Sequence, residues 1–157
     1  MLVLELAEIN KEFLDLTRAL DDEMNVFHSA SMGIRYPQSD TSVTEYKLWC
    51  ENMKASPYLI KDVDESSEEL IKKTIGFVVL TPGELQETTW ISEFYIKKRY
   101  RHKGYGTEAL KLIAEQVKNT GNSKLLLRVL SNNKPALALY KNAGFDTEIT
   151  RVHMKQL

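Results

Sequence analysis

The sequence predicts a single-domain α/β fold built on a mixed β-sheet. The chain has 157 residues, which fits one domain, 1–157, with a sizeable core. Strand-like and helix-like segments follow one another in the order β-α-α-β-β-β-α-β-α-β. Two of the strand-like segments, 89–96 and 124–131, are joined through a helical segment, and strands joined in this way are expected to be parallel. The sheet is therefore predicted to contain a central parallel pair next to an antiparallel meander.

The first elements are a strand and a helix. Residues 2–6, LVLEL, predict a short strand. Asn10 can cap a helix over 11–24, where apolar residues recur at helical spacing. The stretch 25–41 shows no such spacing and is predicted to be irregular.

A second helix and a meander of strands come next. Ser42 and Glu45 have the spacing of a capping box, which predicts a helix that runs to about Lys54. Short turn-forming stretches then separate three segments with strand character. These segments are 58–63, 74–80 and 89–96.

The last third of the chain predicts two helices and further strands. A helix with one apolar face extends from Gly104 to about Lys118. Residues 124–131 are nearly all apolar, as expected of a strand covered on both faces. A helix over about 133–142 ends at Gly144, and the remaining residues predict one or two final strands.

Composition excludes some classes of function. Hydrophobic content of 43% and charged content of 27% are ordinary for a soluble globular protein. The formal net charge is −1, but residues 1–90 hold 8 basic and 17 acidic side chains, and residues 91–157 hold 13 basic and 5 acidic ones. The two halves are therefore expected to face partners of opposite sign, unless both are simply solvated. A pI near 6.3 disfavours nucleic-acid binding, and no nucleic-acid partner is expected.

The few cysteine and histidine residues indicate no metal site. Cys50 is the only cysteine, so it can form neither an intrachain disulfide nor a thiolate cluster, and we expect it to be buried as a small apolar group. The three histidines show no ligand spacing. The N-terminus has neither a signal peptide nor a membrane span, so no membrane partner is expected and the cytoplasm is the expected location.

A dense basic run precedes the predicted helix at Gly104. Six cationic or potentially cationic side chains lie within seven positions, namely Lys97, Lys98, Arg99, Arg101, His102 and Lys103. The free amides and the dipole of a helix N-terminus favour anions, and Gly104 and Gly106 would let a ligand approach the backbone. The run therefore predicts a pyrophosphate cradle, with a nucleic-acid patch and a solvated loop as alternatives. Dinucleotide-binding and Walker motifs do not match.

Two motifs carry a family resemblance. RHKGYG (101–106) resembles the Arg/Gln-x-x-Gly-x-Gly/Ala signature of the GNAT superfamily of N-acetyltransferases. NNKPALALYKNAGF (132–145) resembles the downstream pattern of the same family, at the usual separation of one helix plus one strand. The resemblance implies a sheet whose central parallel strands splay around acetyl-CoA, and it covers about residues 74–150. Lys98 departs from the family, which often has proline there.

The resemblance also implies a set of cofactor-binding residues. The loop and the first helical turn would wrap the pyrophosphate of CoA, the end of the preceding strand would pair with the pantetheine arm, and an asparagine would contact the cofactor from the next strand. These residues are Arg101, His102, Lys103, Gly104, Tyr105, Gly106 and Thr107 for the pyrophosphate, Tyr95 and Ile96 for the pantetheine arm, and Asn132.

Two residues are candidates for proton transfer. Tyr140 matches the family tyrosine near the thioester sulfur and would protonate the departing thiolate, although it could instead pack under the sheet. Glu93 is the only carboxylate in its strand, and partial burial would raise its pKa towards that of a useful general base. A bulge would decide which face Glu93 occupies, and an ion pair with Arg128 is its structural alternative. A water chain is the other route for the proton.

The acceptor is expected to be a small-molecule or peptide amine. The first helix is acidic, which would suit a cationic acceptor, and a solvated helix face explains the same charges. The predicted reaction is transfer of acetyl from acetyl-CoA to a primary amine without a metal. A non-catalytic acyl-CoA-binding domain is the rival function. Because many relatives are dimers, the resemblance makes a homodimer a further expectation.

Overall fold

The computed structural model describes residues 1–33, 40–66, 70–149 and 155. In chain order the elements are β1 (Leu2–Leu6), α1 (Lys11–Met32), α2 (Val43–Met53), β2 (Ser56–Asp64), β3 (Ile71–Pro82), β4 (Thr88–Ile96), α3 (Tyr105–Asn119), β5 (Lys124–Leu127) and α4 (Lys134–Asn142). Within the described ranges, no helix is long and apolar enough to cross a membrane.

The predicted helix caps are present. The side chain of Asn10 accepts a hydrogen bond from the amide of Phe13 at 3.0 Å and so begins α1. At the start of α2, the Ser42 hydroxyl accepts from the Glu45 amide at 3.2 Å, and the Glu45 carboxylate accepts from the Ser42 amide at 2.7 Å. Both helices therefore begin where their local sequence predicts.

The sheet has the order β1-β2-β3-β4-β5. The first three pairings are antiparallel, and β5 is parallel to β4. This confirms the mixed α/β sheet and the parallel pair joined by α3. In the described part of the chain, β5 lies at the end of the sheet.

The sheet separates two helical layers. On one face, α1 and α2 pack on β3 and β4, and Phe13 is 2% exposed against the fully buried Phe77. On the other face, α3 packs on Val78 and Leu80 of β3, with Ile113 fully buried. The gap described below lies between these two layers.

A bulge in β4 ends its pairing with β5. Val79 of β3 is opposite Glu93, whereas the next residue, Leu80, is opposite Ile91, so Ser92 is an extra residue. Pairing between β4 and β5 stops at Ile91 and Leu127. From Ser92 onwards the two chains diverge, which is the splay that the resemblance implied.

Three segments differ from the sequence prediction. Residues 25–32, predicted to be irregular, continue α1 to Met32, where Gly33 ends the helix with a left-handed φ of 65°. The strand predicted over 124–131 is only Lys124–Leu127, because β4 stops offering a partner at the bulge. No strand occurs in 145–149, and the rest of the predicted final strands lies outside the described residues, apart from Lys155.

Candidate functional site

The candidate site is the gap where β5 leaves β4. Tyr95 and Ile96, both 7% exposed, end β4 beyond the last residue that pairs with β5. The carbonyl of Ile96 already accepts a hydrogen bond from Nε of Arg101 at 2.7 Å. The other backbone groups on the open side of β4 are available to an extended ligand, as in strand addition.

The loop before α3 presents a row of free amides. Gly104 precedes the helix with φ 85°, and no side chain caps the helix there. His102 also has a positive φ, of 59°. The first amide of this region that bonds within the chain is that of Glu108, which donates to the carbonyl of Gly104 at 3.1 Å. The amides of 102–107 have no acceptor among the described residues, and such a cluster at a helix N-terminus binds anions.

The two glycines of the motif have different reasons to be glycine. A Cβ on Gly104 would meet nothing within 4 Å, so the space in front of this residue is open to a ligand. A Cβ on Gly106 would lie 3.2 Å from Cδ2 of Leu139 in α4. The absence of a side chain at Gly106 therefore allows α3 and α4 to pack closely.

Several of the basic side chains already have partners in the chain. Nη2 of Arg101 lies 2.9 and 2.8 Å from the two carboxylate oxygens of Glu23 in α1. Nζ of Lys98 lies 3.6 Å from the same carboxylate. Nζ of Lys97 donates to the carbonyl of Thr74 at 2.7 Å. The basic run is thus partly neutralised by α1, and the sequence had no signal for this pairing.

The remaining loop side chains divide into exposed and buried groups. His102 and Lys103 are exposed at the free amides. The hydroxyl of Tyr105 donates to Asp62 at 2.9 Å, which turns this side chain away from the loop towards β2. Thr107 is half-buried in the first turn of α3. Tyr105, Gly106 and Thr107 can therefore contribute backbone amides to an anion site.

Asn132 has an unsatisfied polar atom. Its Nδ2 donates to the carbonyl of Phe27 in the extended part of α1 at 2.9 Å, whereas its Oδ1 is buried without a hydrogen-bond partner. The neighbouring residue Asn133 caps α4, and its side chain accepts from the amide of Ala136 at 3.3 Å. A buried, unpaired acceptor is costly, and a ligand N–H would satisfy it.

Glu93 lies on the α1/α2 face of the sheet, just after the bulge. Its Oε2 accepts a hydrogen bond from the Tyr46 hydroxyl at 2.9 Å. Burial raises the pKa of Glu93 to about 7, although the Tyr46 bond lowers it, and the charge of Asp21 raises it further. The suggested ion pair with Arg128 is not formed, since that guanidinium lies 4.7 Å from the ring centre of Trp90. Glu93 and Phe94 lie on opposite faces of the sheet, and α1 and α2 cover the face of Glu93.

Tyr140 lies on the opposite face. Its ring packs against Phe94 of β4, at 6.4 Å between centroids, and against Phe145 at 5.9 Å. Burial raises the pKa of Tyr140 to about 12, so the phenol is protonated at neutral pH. Packing and a proton-donating role are therefore compatible for this side chain.

Sequence reasoning missed three residues near Glu93 and the loop. Tyr46 lies 47 positions from Glu93, and Glu23 lies 78 positions from Arg101. Asp21 is one of several acidic residues of α1, and nothing in the sequence distinguishes it as the one whose charge acts on Glu93. The spacing of Tyr46 and Cys50 on one face of α2 indicates burial, but no local signal indicates a bond to Glu93.

The chain matches known proteins along most of its length. Residues 17–145 match the model of the acetyltransferase (GNAT) family. The bovine (Bos taurus) thialysine N-epsilon-acetyltransferase is 40% identical, over 65% of this chain and 71% of the relative. The uncharacterized N-acetyltransferase YycN of Bacillus subtilis is 34% identical over 41% of each chain.

Solved structures show the same fold. The crystal structure of YycN from Bacillus subtilis superposes with a TM-score of 0.68 at 19% identity, covering 100% of this chain and 99% of that chain. An aminoglycoside acetyltransferase from an uncultured soil metagenomic sample, in complex with sisomicin, superposes with a TM-score of 0.66 at 14% identity, covering 99% and 95%. With its splayed parallel strands and matching family model, this chain belongs to the GNAT family of acetyltransferases and is an acyltransferase.

Proposed function

We propose that this protein transfers an acetyl group from acetyl-CoA to a primary amine of a small cationic acceptor. The single observation that carries the proposal is the gap after Ile91, which Glu93 and Tyr140 flank from opposite faces of the sheet. A short loop connects the end of β4 to α3, and the row of free amides lies where this loop enters the helix.

The residues around the gap fit the donor. Acetyl-CoA would supply an activated acyl group as a thioester. The amides of 102–107 and the exposed His102 and Lys103 suit its diphosphate. Oδ1 of Asn132 can accept from an amide N–H of the extended arm. The backbone of β4 at Tyr95 and Ile96 can pair with that arm if Arg101 releases the carbonyl of Ile96. Arg101 would join the diphosphate if it also released Glu23.

Proton transfer follows from the two side chains that flank the gap. A free alkylamine is protonated at pH 7 and must lose a proton before its nitrogen can attack. Glu93, with a pKa of about 7, accepts that proton. The C–N bond then forms and the C–S bond breaks, and Tyr140 donates its hydroxyl proton towards the departing sulfur. The nitrogen loses a second proton as it becomes an amide, and this proton replaces the one that Tyr140 gives to sulfur. Glu93 releases its proton to solvent, so an ammonium group and acetyl-CoA yield an amide, CoA thiol and one proton.

The acceptor is proposed to carry a second positive charge. Asp21 is half-buried, and burial together with the charge of Asp22 raises its pKa. Its charge acts on Glu93, so a second carboxylate borders the base on the α1 side. A diamine such as a lysine-like amino acid would place one nitrogen at Glu93 and a cationic group near Asp21. The names of the thialysine acetyltransferases and the sisomicin complex are consistent with amine acceptors of this kind.

Steady-state release of CoA thiol tests the proposal. The purified chain would be mixed with acetyl-CoA and a panel of thialysine, lysine, a polyamine, an aminoglycoside and a neutral monoamine. We expect release with at least one dicationic amine, weaker release with the monoamine, and loss of release in Glu93→Gln. CoA binding without release for any amine would instead support a non-catalytic binding domain.

The cytoplasmic location and the homodimer stay predictions. Fractionation of tagged cells would test the location, and light scattering of the purified chain would test the homodimer.

Cys50 is free and buried, as expected for a small apolar group.

A further inference from the structure

The Tyr46 hydroxyl is held next to Glu93 by the core of the α1/α2 layer. Tyr46 is 7% exposed, and its ring packs against Phe13 at 5.7 Å and Trp49 at 5.4 Å between centroids. Because the ring has little freedom to move, the hydroxyl has a defined position. From there it donates to Oε2 of Glu93 at 2.9 Å.

The bond occupies one oxygen of the carboxylate and leaves the other free. Oε1 of Glu93 accepts no hydrogen bond from the described residues, yet it is not among the fully buried unpaired atoms. It is therefore not fully buried, and a proton donor can reach it. The carboxylate has one oxygen anchored to α2 and one oxygen available to take a proton.

The bulge leaves Glu93 with backbone pairing on one side only. Ser92 interrupts the pairing of β4, so the backbone at Glu93 is supported by β3 but not by β5. A glutamate side chain has three rotatable bonds, and without an anchor its carboxylate would sample several orientations. The bond from Tyr46 restricts that freedom at a residue that pairs with only one neighbouring strand.

We propose that Tyr46 is a positioning residue for Glu93, whose hydroxyl orients the carboxylate so that Oε1 faces the acceptor amine. This inference rests on the proposed acetyl transfer, in which Glu93 is the base. It assigns to α2 a part in the reaction that neither the two family motifs nor the charge pattern indicates.

The electrostatic surroundings of Glu93 are consistent with this role. The titratable groups that act with it come from two helices, Asp21 from α1 and Tyr46 and Cys50 from α2. On its own strand Tyr95 is next on the same face, with Arg101 over its ring at 5.3 Å. Tyr46 is the one group among these whose effect on Glu93 is to lower its pKa. Burial and Glu93 raise the pKa of Tyr46 itself, so it remains a donor at neutral pH.

The test compares Tyr46→Phe with Tyr58→Phe in the full chain. Tyr58 is a suitable control because its hydroxyl accepts a bond from Gln116 at 3.3 Å, away from Glu93. For Tyr46→Phe we expect kcat to fall about tenfold, the loss expected for a hydrogen bond to a charged group, with an unchanged KM for acetyl-CoA. The acidic limb of the kcat profile should move to higher pH, because the lost bond lowered the pKa of Glu93. Tyr58→Phe should change neither quantity.

A second comparison shows whether Tyr46 acts through Glu93. In a Glu93→Gln background, Tyr46→Phe should cause no further loss of kcat, because the two residues work as one unit. An equal loss in both backgrounds, or an acidic limb that does not move, would overturn the proposal. Failure of Tyr46→Phe to fold would assign the hydroxyl to stability and would also overturn it.

A titration without any substrate separates this proposal from the proposed function. The carboxyl signal of Glu93, followed by NMR against pH, should shift to a higher pKa in Tyr46→Phe and stay in place in Tyr58→Phe. An unchanged titration would contradict the positioning role. If the wild-type chain released no CoA with any amine, the proposed function would fail even where the titration moved as expected.

Discussion

Arg101 of the loop before α3 is paired with Glu23 of α1. Nη2 of the guanidinium lies within 2.9 Å of both carboxylate oxygens of Glu23. Nε of Arg101 donates a hydrogen bond to the carbonyl of Ile96 at 2.7 Å. One side chain thus joins the loop, the end of β4 and the helix that carries the acidic groups. A diphosphate in the loop would compete with Glu23 for this guanidinium.

Glu23→Gln is expected to tighten CoA binding. The substitution removes a carboxylate that both occupies Arg101 and repels phosphates. The two side chains are 32% and 20% exposed, so the pair is partly screened, and the gain should not exceed about fivefold in Kd. Calorimetry with CoA measures it. Asp15→Asn is the control, since Asp15 pairs with Arg18 on the exposed side of α1. Weaker binding by Glu23→Gln would mean that Glu23 must hold Arg101 in place.

Gly104→Asp is expected to abolish measurable CoA binding. The added carboxylate would lie at the free amides and occupy the anion site itself. Gly121→Asp is a matched control, because Gly121 also has a positive φ, 87° against 85°, and also faces open space, but it lies at the other end of α3. Both variants carry a similar backbone strain of about 1 kcal/mol. CoA titration should show different affinities for the two variants, whereas their thermal unfolding temperatures should be similar. Equal CoA affinity in both variants would contradict the anion site.

Tyr140→Phe is expected to keep CoA affinity and lose about a hundredfold in kcat. The ring would remain packed against Phe94 and Phe145, so only the proton donor is lost. Single-turnover kinetics together with CoA binding separate the two effects. A variant with wild-type kcat would show that Tyr140 serves packing alone.

Glu93→Gln is expected to change how stability depends on pH. Folding raises the pKa of Glu93 from 4.5 to about 7, so the folded state prefers the protonated side chain. The stability contributed by that preference is complete below pH 4.5, and it is lost as the pH rises to about 7, by about 3 kcal/mol. The glutamine variant has no such loss.

Urea unfolding at pH 5 and pH 8 checks this prediction. Glu93→Gln should exceed the wild type in unfolding free energy at pH 8 and differ little from it at pH 5. Glu115→Gln, which changes an exposed carboxylate of α3, should follow the wild type at both pH values. If the difference between Glu93→Gln and wild type were the same at both pH values, Glu93 would not titrate between them.

Local sequence determined the order of the described elements, the helix starts and the glycine turn before α3. The caps at Asn10 and Ser42 act within three residues, so their signal lies in the adjacent sequence. The turn at Gly104 likewise depends on one residue with a positive φ at a helix start. The parallel pairing of β4 and β5 follows from the helix between them. The roles of the individual site residues stay predictions until a ligand is bound.

The tertiary structure decided the surroundings of those residues. The partners of Glu93 and Arg101 come from helices 47 and 78 positions away, and no local spacing encodes such contacts. The early end of β5 also depends on its partner, since the strand ends where its pairing with β4 ends. Interactions between residues that are close in the sequence can be predicted from the sequence. The polarity around a buried carboxylate depends instead on which distant elements pack against it.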